Sequence, residues 1–212
     1  MKKRDGEQEN AIDIFSFFTF ACFKCTFTEI VNALEDVCCK PNGNYKLEYR
    51  KFAFDLYEVQ PLPGGVHLAK SYFFKPKVKA DICVMFSNCS DGWYTLVNVL
   101  SIKLQCDVCL FSITAPDVLD GAFNGFRYIR GGNPIRTVYA MQDPRWVFYE
   151  EGQKQWFENT AINYQMRMIK KRMNKEILIS YCERLGFDII NPMFWQCEQS
   201  VLLEELPRNT KK

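Results

Sequence analysis

Two pairs of cysteines in this sequence have a spacing that suits metal or redox chemistry. Cys22 and Cys25 form one C-x-x-C motif, and Cys106 and Cys109 form another. Two such pairs can complete a tetrahedral zinc site, and one pair can act as a thioredoxin-type redox centre. However, both motifs stand in apolar, β-prone sequence without a turn residue between the thiols, and a spacing of three places two thiols on opposite faces of a strand. We therefore predict buried structural cysteines, no metal site and no cofactor.

The loop NCSDGW, at residues 88–93, is where a ligand site would be expected. It follows an apolar strand and precedes a helical pattern, and loops at the carboxyl end of a strand in a β-α-β unit often bind ligands or anions. The loop has one glycine, no Walker lysine, and an aspartate that would repel phosphate. We therefore interpret Ser90 and Asp91 as capping residues of the helix. An enzyme with its active site at this loop is one of three functional hypotheses that the sequence leaves open.

The single histidine, His67, stands beside the glycine-rich loop QPLPGGVH. It has no nearby serine, aspartate or cysteine in a recognisable catalytic pattern, so we interpret it as a surface residue. The sequence also shows no activated nucleophile. We predict that the protein has no catalytic residues and is not an enzyme.

Aromatic residues and arginines interleave through the segments FRYIR, PIRTVYAM and RWVFYEEG, which together predict an antiparallel meander. One hypothesis is that these side chains stack on the bases of a single-stranded nucleic acid. The other is a sheet with one buried aromatic face and one solvated charged face, which the absence of an RNP pattern favours. The residues concerned are Phe126, Arg127, Tyr128, Arg130, Arg136, Tyr139, Arg145, Trp146, Phe148, Tyr149, Trp156 and Phe157.

Hydrophobic spacing and turn residues indicate the elements that position these side chains. Thr26 and Glu29 form a capping box for a helix that runs to about Cys39. A second helix follows the NCSDGW loop, within the β-α-β unit. The longest helix is predicted from Thr160 to Leu185, and five of its polar residues would share one basic face. Those five residues are Arg167, Lys170, Lys171, Asn174 and Lys175.

These elements predict an α+β fold, with a single domain at residues 11–206. Its sheet is expected to be mixed, mostly antiparallel, and made of about six or seven strands packed against about three helices. Residues 1–10 and 207–212 are predicted to be flexible segments, and Phe194 and Trp195 are predicted to dock on the core.

Composition and charge limit the classes of function. The 27 Lys and Arg residues against 25 Asp and Glu residues leave a formal net charge of +2, too small for nucleic-acid or membrane binding by bulk electrostatics. The apolar run IDIFSFFTFACF carries Asp13 and is too short to cross a bilayer, so we interpret it as a buried strand. No export signal precedes it, which predicts a cytoplasmic protein with reduced thiols.

Three segments resemble bacterial immunity proteins, which neutralise polymorphic or contact-dependent toxins. They are SDGWYTLVN at residues 90–98, RWVFYEEGQKQWFEN at residues 145–159 and YQMRMIKKRMNKEILISYCERLGFDI at residues 164–189. The resemblance covers roughly the C-terminal two-thirds of the chain and carries over no catalytic motif. It implies a cytoplasmic, non-enzymatic protein that binds one cognate toxin domain tightly. The implied partner is a protein, rather than a membrane, a nucleic acid or a small-molecule substrate.

Exposed aromatic and charged residues are the candidates for binding such a partner, because Trp, Tyr and Arg dominate interface hot spots. The candidates are Trp93, Tyr94, Arg136, Trp146, Glu150 and Glu151. Inhibitors of nuclease toxins are commonly acidic, since they meet a surface built to hold phosphate, whereas this chain is mildly basic. Either the toxin is not a basic nuclease, or a local group such as Glu150, Glu151 and Glu158, around a turn at Gly152, supplies the negative charge.

Overall fold

A computed structural model describes residues 12–41, 43–118 and 120–207. Within these ranges the chain forms nine β-strands and three α-helices. The strands are β1 (Phe17–Phe23), β2 (Tyr45–Tyr49), β3 (Lys70–Pro76), β4 (Cys83–Ser87), β5 (Asp107–Thr114), β6 (Phe123–Arg130), β7 (Asn133–Gln142), β8 (Trp146–Gly152) and β9 (Cys197–Glu205). The helices are α1 (Phe27–Cys38), α2 (Tyr94–Leu104) and α3 (Lys175–Arg184), with short 3-10 helices at Ile169–Lys171 and Pro192–Trp195.

All nine strands belong to one sheet, in the order β2-β9-β3-β4-β1-β5-β6-β7-β8. Every pair of neighbouring strands is antiparallel, so the expectation of a mixed sheet is wrong: the two parallel strands, β4 and β5, are separated by β1. The predicted α+β class, with a single domain and three helices, is confirmed. The expected strand count is too low, in part because the C-terminal segment contributes β9 between β2 and β3. The partners of β9 are distant along the chain, so no local turn signal announces this strand.

The predicted β-α-β connection is present in β4, α2 and β5. Strands β4 and β5 are each antiparallel to β1, which lies between them, so β4 and β5 run in the same direction. The capping box of α1 is also confirmed. The Thr26 side chain accepts a hydrogen bond from the backbone N–H of Glu29, and the Glu29 carboxylate accepts one from the backbone N–H of Thr26 at 2.8 Å.

Each face of the sheet carries its own apolar core. Helices α1 and α2 pack with residues such as Phe23 and Phe73 on one face. Helix α3 packs with residues such as Phe20 on the other face, where Phe194 and Trp195 are buried as predicted. The sheet is therefore covered on both faces over its central strands.

The two C-x-x-C motifs are divided between these cores. Cys25 and Cys106 belong to the core under α1 and α2, whereas Cys22 and Cys109 belong to the core on the opposite face. The prediction that each motif places its thiols on opposite faces is confirmed, and all ten cysteines are free thiols.

The prediction of one long helix from Thr160 to Leu185 is wrong. Only Lys175–Arg184 is α-helical, and its N-cap Asn174 accepts a hydrogen bond from the backbone N–H of Ile177 at 3.0 Å. Turns and the 3-10 helix precede it, because the apolar side chains of Tyr164 and Met173 are drawn into the core beside the sheet. The five basic and polar residues expected on one helical face therefore do not share a continuous helix.

None of the helices in the described ranges has the length and apolar character needed to cross a membrane. The segment predicted to be flexible at residues 1–10, and all but Pro207 of the one at residues 207–212, lie outside the described residues.

Candidate functional site

One face of the sheet is left open at the end formed by β6, β7 and β8. Helix α2 packs on β5 and β6, and beyond it this face meets solvent. The strand register aligns its side chains in three rows across the strands. We call these residues the open face; they are Phe123, Arg127, Thr137, Tyr139, Met141, Val147, Tyr149 and Glu151.

A ladder of stacked aromatic rings crosses the open face. The ring centroids of Phe123 and Tyr139 are 5.3 Å apart, and those of Tyr139 and Tyr149 are 5.1 Å apart, with interplanar angles of 26° and 20°. The Tyr149 hydroxyl donates a hydrogen bond to the Glu151 carboxylate at 2.5 Å, and this bond raises the pKa of Tyr149 above its ordinary value. The ladder places three stacked aromatic rings on this face, with a polar group at one end.

Gly125 makes this arrangement possible. It lies directly opposite Tyr139 in the β6–β7 register. A Cβ at this position would lie 2.6 Å from both the Val138 carbonyl oxygen and the Tyr139 Cβ, closer than real Cβ contacts. Because β6 carries no side chain at Gly125, Tyr139 can lie between Phe123 and the ring of Tyr149.

Arg127 joins the open face to the start of α2. Its guanidinium carbon lies 4.6 Å from the centroid of the Tyr94 ring, in a cation–π contact. Tyr94 is the first residue of α2, and Trp93 before it has a positive φ of 53°, which is uncommon for a residue other than glycine. This turn orients Tyr94 toward the sheet.

The turn before α2 differs in detail from the prediction. Trp93 itself is the N-cap and makes no side-chain capping bond. Asp91 accepts a hydrogen bond from the backbone N–H of Trp93 at 2.9 Å, which closes the turn before α2 but does not cap the helix, because a capping side chain accepts from the second or third helical N–H. The interpretation of Ser90 and Asp91 as caps of α2 is therefore wrong, although Asp91 does stabilise the turn.

A cavity of about 470 Å³ adjoins the open face, and Phe123 and Arg127 belong to both. It lies at the carboxyl ends of β4 and β5, where the NCSDGW loop leaves β4. The polar side chains Ser90, Asp91 and Ser112 line it, together with Thr114, which donates to the Phe123 carbonyl at 2.7 Å. The open face therefore continues into a concave, polar recess.

Carboxylates predominate around this recess. Asp91 and Asp120 line the cavity, with Arg127 as its one cationic lining residue within the described ranges. Asp120 and Asp143 line a second cavity of about 460 Å³ beside it. The exposed Arg145 stands in the nearby turn between β7 and β8. With Glu151 on the open face, the recess and the ladder together carry three carboxylates and one guanidinium, while three lysines line the neighbouring cavity that shares Asp120 with the recess.

The prediction that Arg136 is an exposed binding residue is wrong, because its side chain is buried. Its side chain is 2% exposed and pairs with Glu158 at 2.9 Å and with Glu150 at 2.5 Å. Burial opposes the charge on this guanidinium, but the hydrogen bonds that it donates to both carboxylates raise the pKa of Arg136 above its ordinary value. Tyr164 also donates to Glu158 at 2.6 Å, and burial followed by this bond raises the pKa of Tyr164. This network anchors residues 153–164 to the sheet.

The other predicted residues are divided between two surfaces. Tyr94 and Glu151 lie at the open face, whereas Trp146 and Glu150 project from the opposite face of β8. Trp93 lies away from the ladder, with its ring centroid 5.9 Å from that of Tyr45. The six candidates therefore do not form one site.

The expected acidic group around Gly152 does not form either. Glu158 is fully buried, and Glu150 and Glu151 point to opposite faces of β8. His67, interpreted from the sequence as a surface residue, is half-buried, and its Nε2 lies 2.9 Å from the Asn88 carbonyl oxygen.

Sequence reasoning included Tyr139 and Tyr149 in the interleaved aromatic set but not among the site residues. The period-2 alternation in β7 and β8 does place them on one face. Which face of the β6–β8 meander stays exposed depends on how far α2 extends over the sheet. The local sequence of the meander does not encode that. The structure has aromatic rings on both faces of the meander, rather than on the buried face alone.

No group of three or more His, Cys, Asp or Glu residues within the described part of the chain is placed to hold a metal ion. Comparison of the chain with protein-family models, with curated proteins and with solved structures finds no match.

Proposed function

We propose that this chain is a non-enzymatic binding protein of the immunity type, which neutralises a toxin domain by forming a tight protein–protein complex. The observation that carries the proposal is the open face, with its aromatic ladder beside a polar recess. Large, rigid aromatic side chains contribute contact area with little loss of conformational entropy, and they are enriched at interface hot spots. The proposal includes a cytoplasmic location and needs no cofactor.

The charge around the open face favours a basic protein as the partner. The recess carries Asp91 and Asp120, and Glu151 extends the negative charge onto the ladder. Complementary charge accelerates association and suppresses wrong partners. The small positive net charge of the chain, +2, therefore does not oppose a basic toxin domain, because the charge at this surface has the opposite sign.

Single-stranded nucleic-acid binding is the second candidate function, and the stacked ladder is the observation that favours it. Bases stack on exposed aromatic rings without sequence preference. The carboxylates of the recess would repel a phosphate backbone, and the predicted basic helix is absent from the described structure. We therefore rank this function second.

A comparative capture experiment tests the first proposal. The purified chain is immobilised, incubated with lysate of its native host at about 0.5 M salt, where exposed ionic attraction is strongly screened, and the bound proteins are identified by mass spectrometry. We expect one stoichiometric partner on the unmodified chain and its loss on the double variant Tyr139→Ala, Tyr149→Ala. Co-expression of the captured partner with the chain should relieve the growth inhibition that the partner causes alone.

Tyr49→Ala is the matched control, because Tyr49 is 71% exposed on β2 at the opposite edge of the sheet. This variant should retain the partner. Equal retention by the double variant, with its fold intact by circular dichroism, would reject the open face as the interface. A captured partner that does not inhibit growth would reject the immunity function.

A further inference from the structure

The two C-x-x-C motifs are aligned with each other across neighbouring strands. Cys22 lies directly opposite Cys109 in the antiparallel register of β1 and β5. Continuing the same register past the end of β1 places Cys25 opposite Cys106. The backbone N–H of Lys24 donates to the Asp107 carbonyl at 2.9 Å, which shows that the register extends to this point.

The hydrogen-bond pattern distinguishes the two cysteine pairs. Lys24 and Asp107 share one backbone hydrogen bond at the end of the ladder, and the Cys25 N–H then donates to the Phe23 carbonyl at 3.0 Å, so Cys25 and Cys106 lie just beyond the last hydrogen bond between the strands. Opposed Cα atoms of antiparallel strands lie about 4.5–5.5 Å apart. This separation is within the range of about 4.4–6.8 Å that a disulfide spans. The chain also leaves the strand at Cys25, so its backbone is less constrained than at Cys22.

The side chains of Cys25 and Cys106 lie in the same core, under α1 and α2, and they interact with each other. The interaction between the two thiols raises the pKa of Cys25 and lowers the pKa of Cys106. Each residue is 8% exposed, at the margin of the core under α1 and α2. Cys106 therefore has more thiolate character than an ordinary buried cysteine, and Cys25 is placed next to it.

The neighbouring thiols do not share these properties. Burial raises the pKa of Cys22, and it raises that of Cys109 to about 12. Cys83 is fully buried near the pair, and burial raises its pKa as well. The structure therefore distinguishes one reactive pair among five neighbouring cysteines.

We propose that Cys25 and Cys106 form a modification site at which hydrogen peroxide oxidises the two thiols to an intramolecular disulfide. The Cys106 thiolate attacks the peroxide oxygen, the O–O bond breaks, and one water leaves after protonation, which yields a sulfenic acid. The Cys25 sulfur then attacks the Cys106 sulfur, the S–O bond breaks, and a second water carries away the Cys25 proton. In total, two thiols lose two electrons and two protons, and one peroxide is reduced to two waters.

The disulfide would join two elements on the side of the sheet that carries the open face. Cys25 immediately precedes Thr26, the N-cap of α1, and Cys106 connects the end of α2 to β5. The Ser101 hydroxyl donates to the Cys106 carbonyl at 3.0 Å, so α2 is attached to the same point. Oxidation would attach the start of α1 and the end of α2 to the paired strands β1 and β5.

Peptide mapping of the oxidised full-length chain tests the proposal. The reduced protein is treated with hydrogen peroxide, its remaining thiols are blocked with a maleimide, and it is digested with trypsin. Cleavage after Lys24 and Lys103 separates Cys25 from Cys22 and places Cys25 and Cys106 on different peptides. We expect a linked peptide pair whose fragmentation spectrum assigns the bond to Cys25 and Cys106, with the loss of two free thiols per chain and their recovery in dithiothreitol.

The matched variants are Cys25→Ser and Cys106→Ser, which should lose the linked pair, and Cys109→Ser, which should keep it. Mapping of the unmodified chain decides the proposal even where a variant fails to fold. A bond between Cys22 and Cys109, a bond to Cys83, a disulfide-linked dimer, or retention of both free thiols would overturn it.

Discussion

Arg136 shows why residue type alone is a poor guide to an interface. Arginine is enriched at hot spots, which is why the sequence nominates Arg136. In the structure its guanidinium is enclosed by Glu150, Glu158 and the Gly152 carbonyl, and Tyr164 completes the hydrogen bonding of Glu158. A buried charge is tolerated only when it is paired and hydrogen-bonded. The role that follows from these contacts is structural.

Replacing Arg136 with alanine is therefore expected to destabilise the fold. The substitution leaves the carboxylate of Glu158 buried without its partner, which should lower the free energy of unfolding by about 3 kcal/mol. Urea unfolding followed by circular dichroism measures this change. The control is Arg145→Ala, an exposed arginine, for which we expect a change within about 0.5 kcal/mol. Equal stability of the two variants would contradict the structural role of Arg136.

The meander of β6, β7 and β8 shows how one element can carry two different aromatic surfaces. Alternation along each strand sends Phe126, Val138 and Phe148 to the core beside α3, and it sends Tyr139 and Tyr149 to the open face. The pattern of side chains was visible in the sequence. Which surface stays exposed depends on the length and position of α2, so it is decided between elements.

Gly125→Ala is expected to disturb this element. The added methyl group would meet the Val138 carbonyl and Tyr139 Cβ at 2.6 Å, so β6 and β7 must move apart, and we expect a loss of about 2 kcal/mol in unfolding free energy. The matched control is Gly64→Ala, since a Cβ there meets nothing within 4 Å, and its stability should stay within about 1 kcal/mol. Thermal and urea unfolding of both variants give the comparison. Unchanged stability of Gly125→Ala would show that the ladder does not require a glycine beneath it.

At the scale of the whole molecule, the small net charge conceals an uneven distribution of charged residues over the surface. The chain has a formal charge of +2, yet Asp91, Asp120 and Asp143 gather around the recess beside the open face. Lysines such as Lys170 and Lys171 line an adjoining cavity, of about 410 Å³, which shares Asp120 with the recess. A bulk charge argument therefore cannot identify the partner of one surface.

A labelled oligothymidylate distinguishes the two candidate functions at this scale. Fluorescence anisotropy at low salt should show no binding that depends on the ladder, because carboxylates surround it. The unmodified chain and the double variant Tyr139→Ala, Tyr149→Ala should therefore give the same titration. Binding by the unmodified chain that the double variant loses, and that falls steeply as salt rises, would favour the nucleic-acid function instead.

Local patterns determined part of this protein from the sequence alone. The α+β class, the capping box at Thr26 and Glu29, the β-α-β connection and the β6–β8 meander follow from hydrophobic period and turn residues, which act over a few positions. Tertiary structure alone decided the rest: the place of β9 inside the sheet, the shortness of α3, the burial of Arg136 and the exposure of the ladder. Each depends on contacts between segments distant in the chain, and the free energy of such contacts is absent from any local window of sequence.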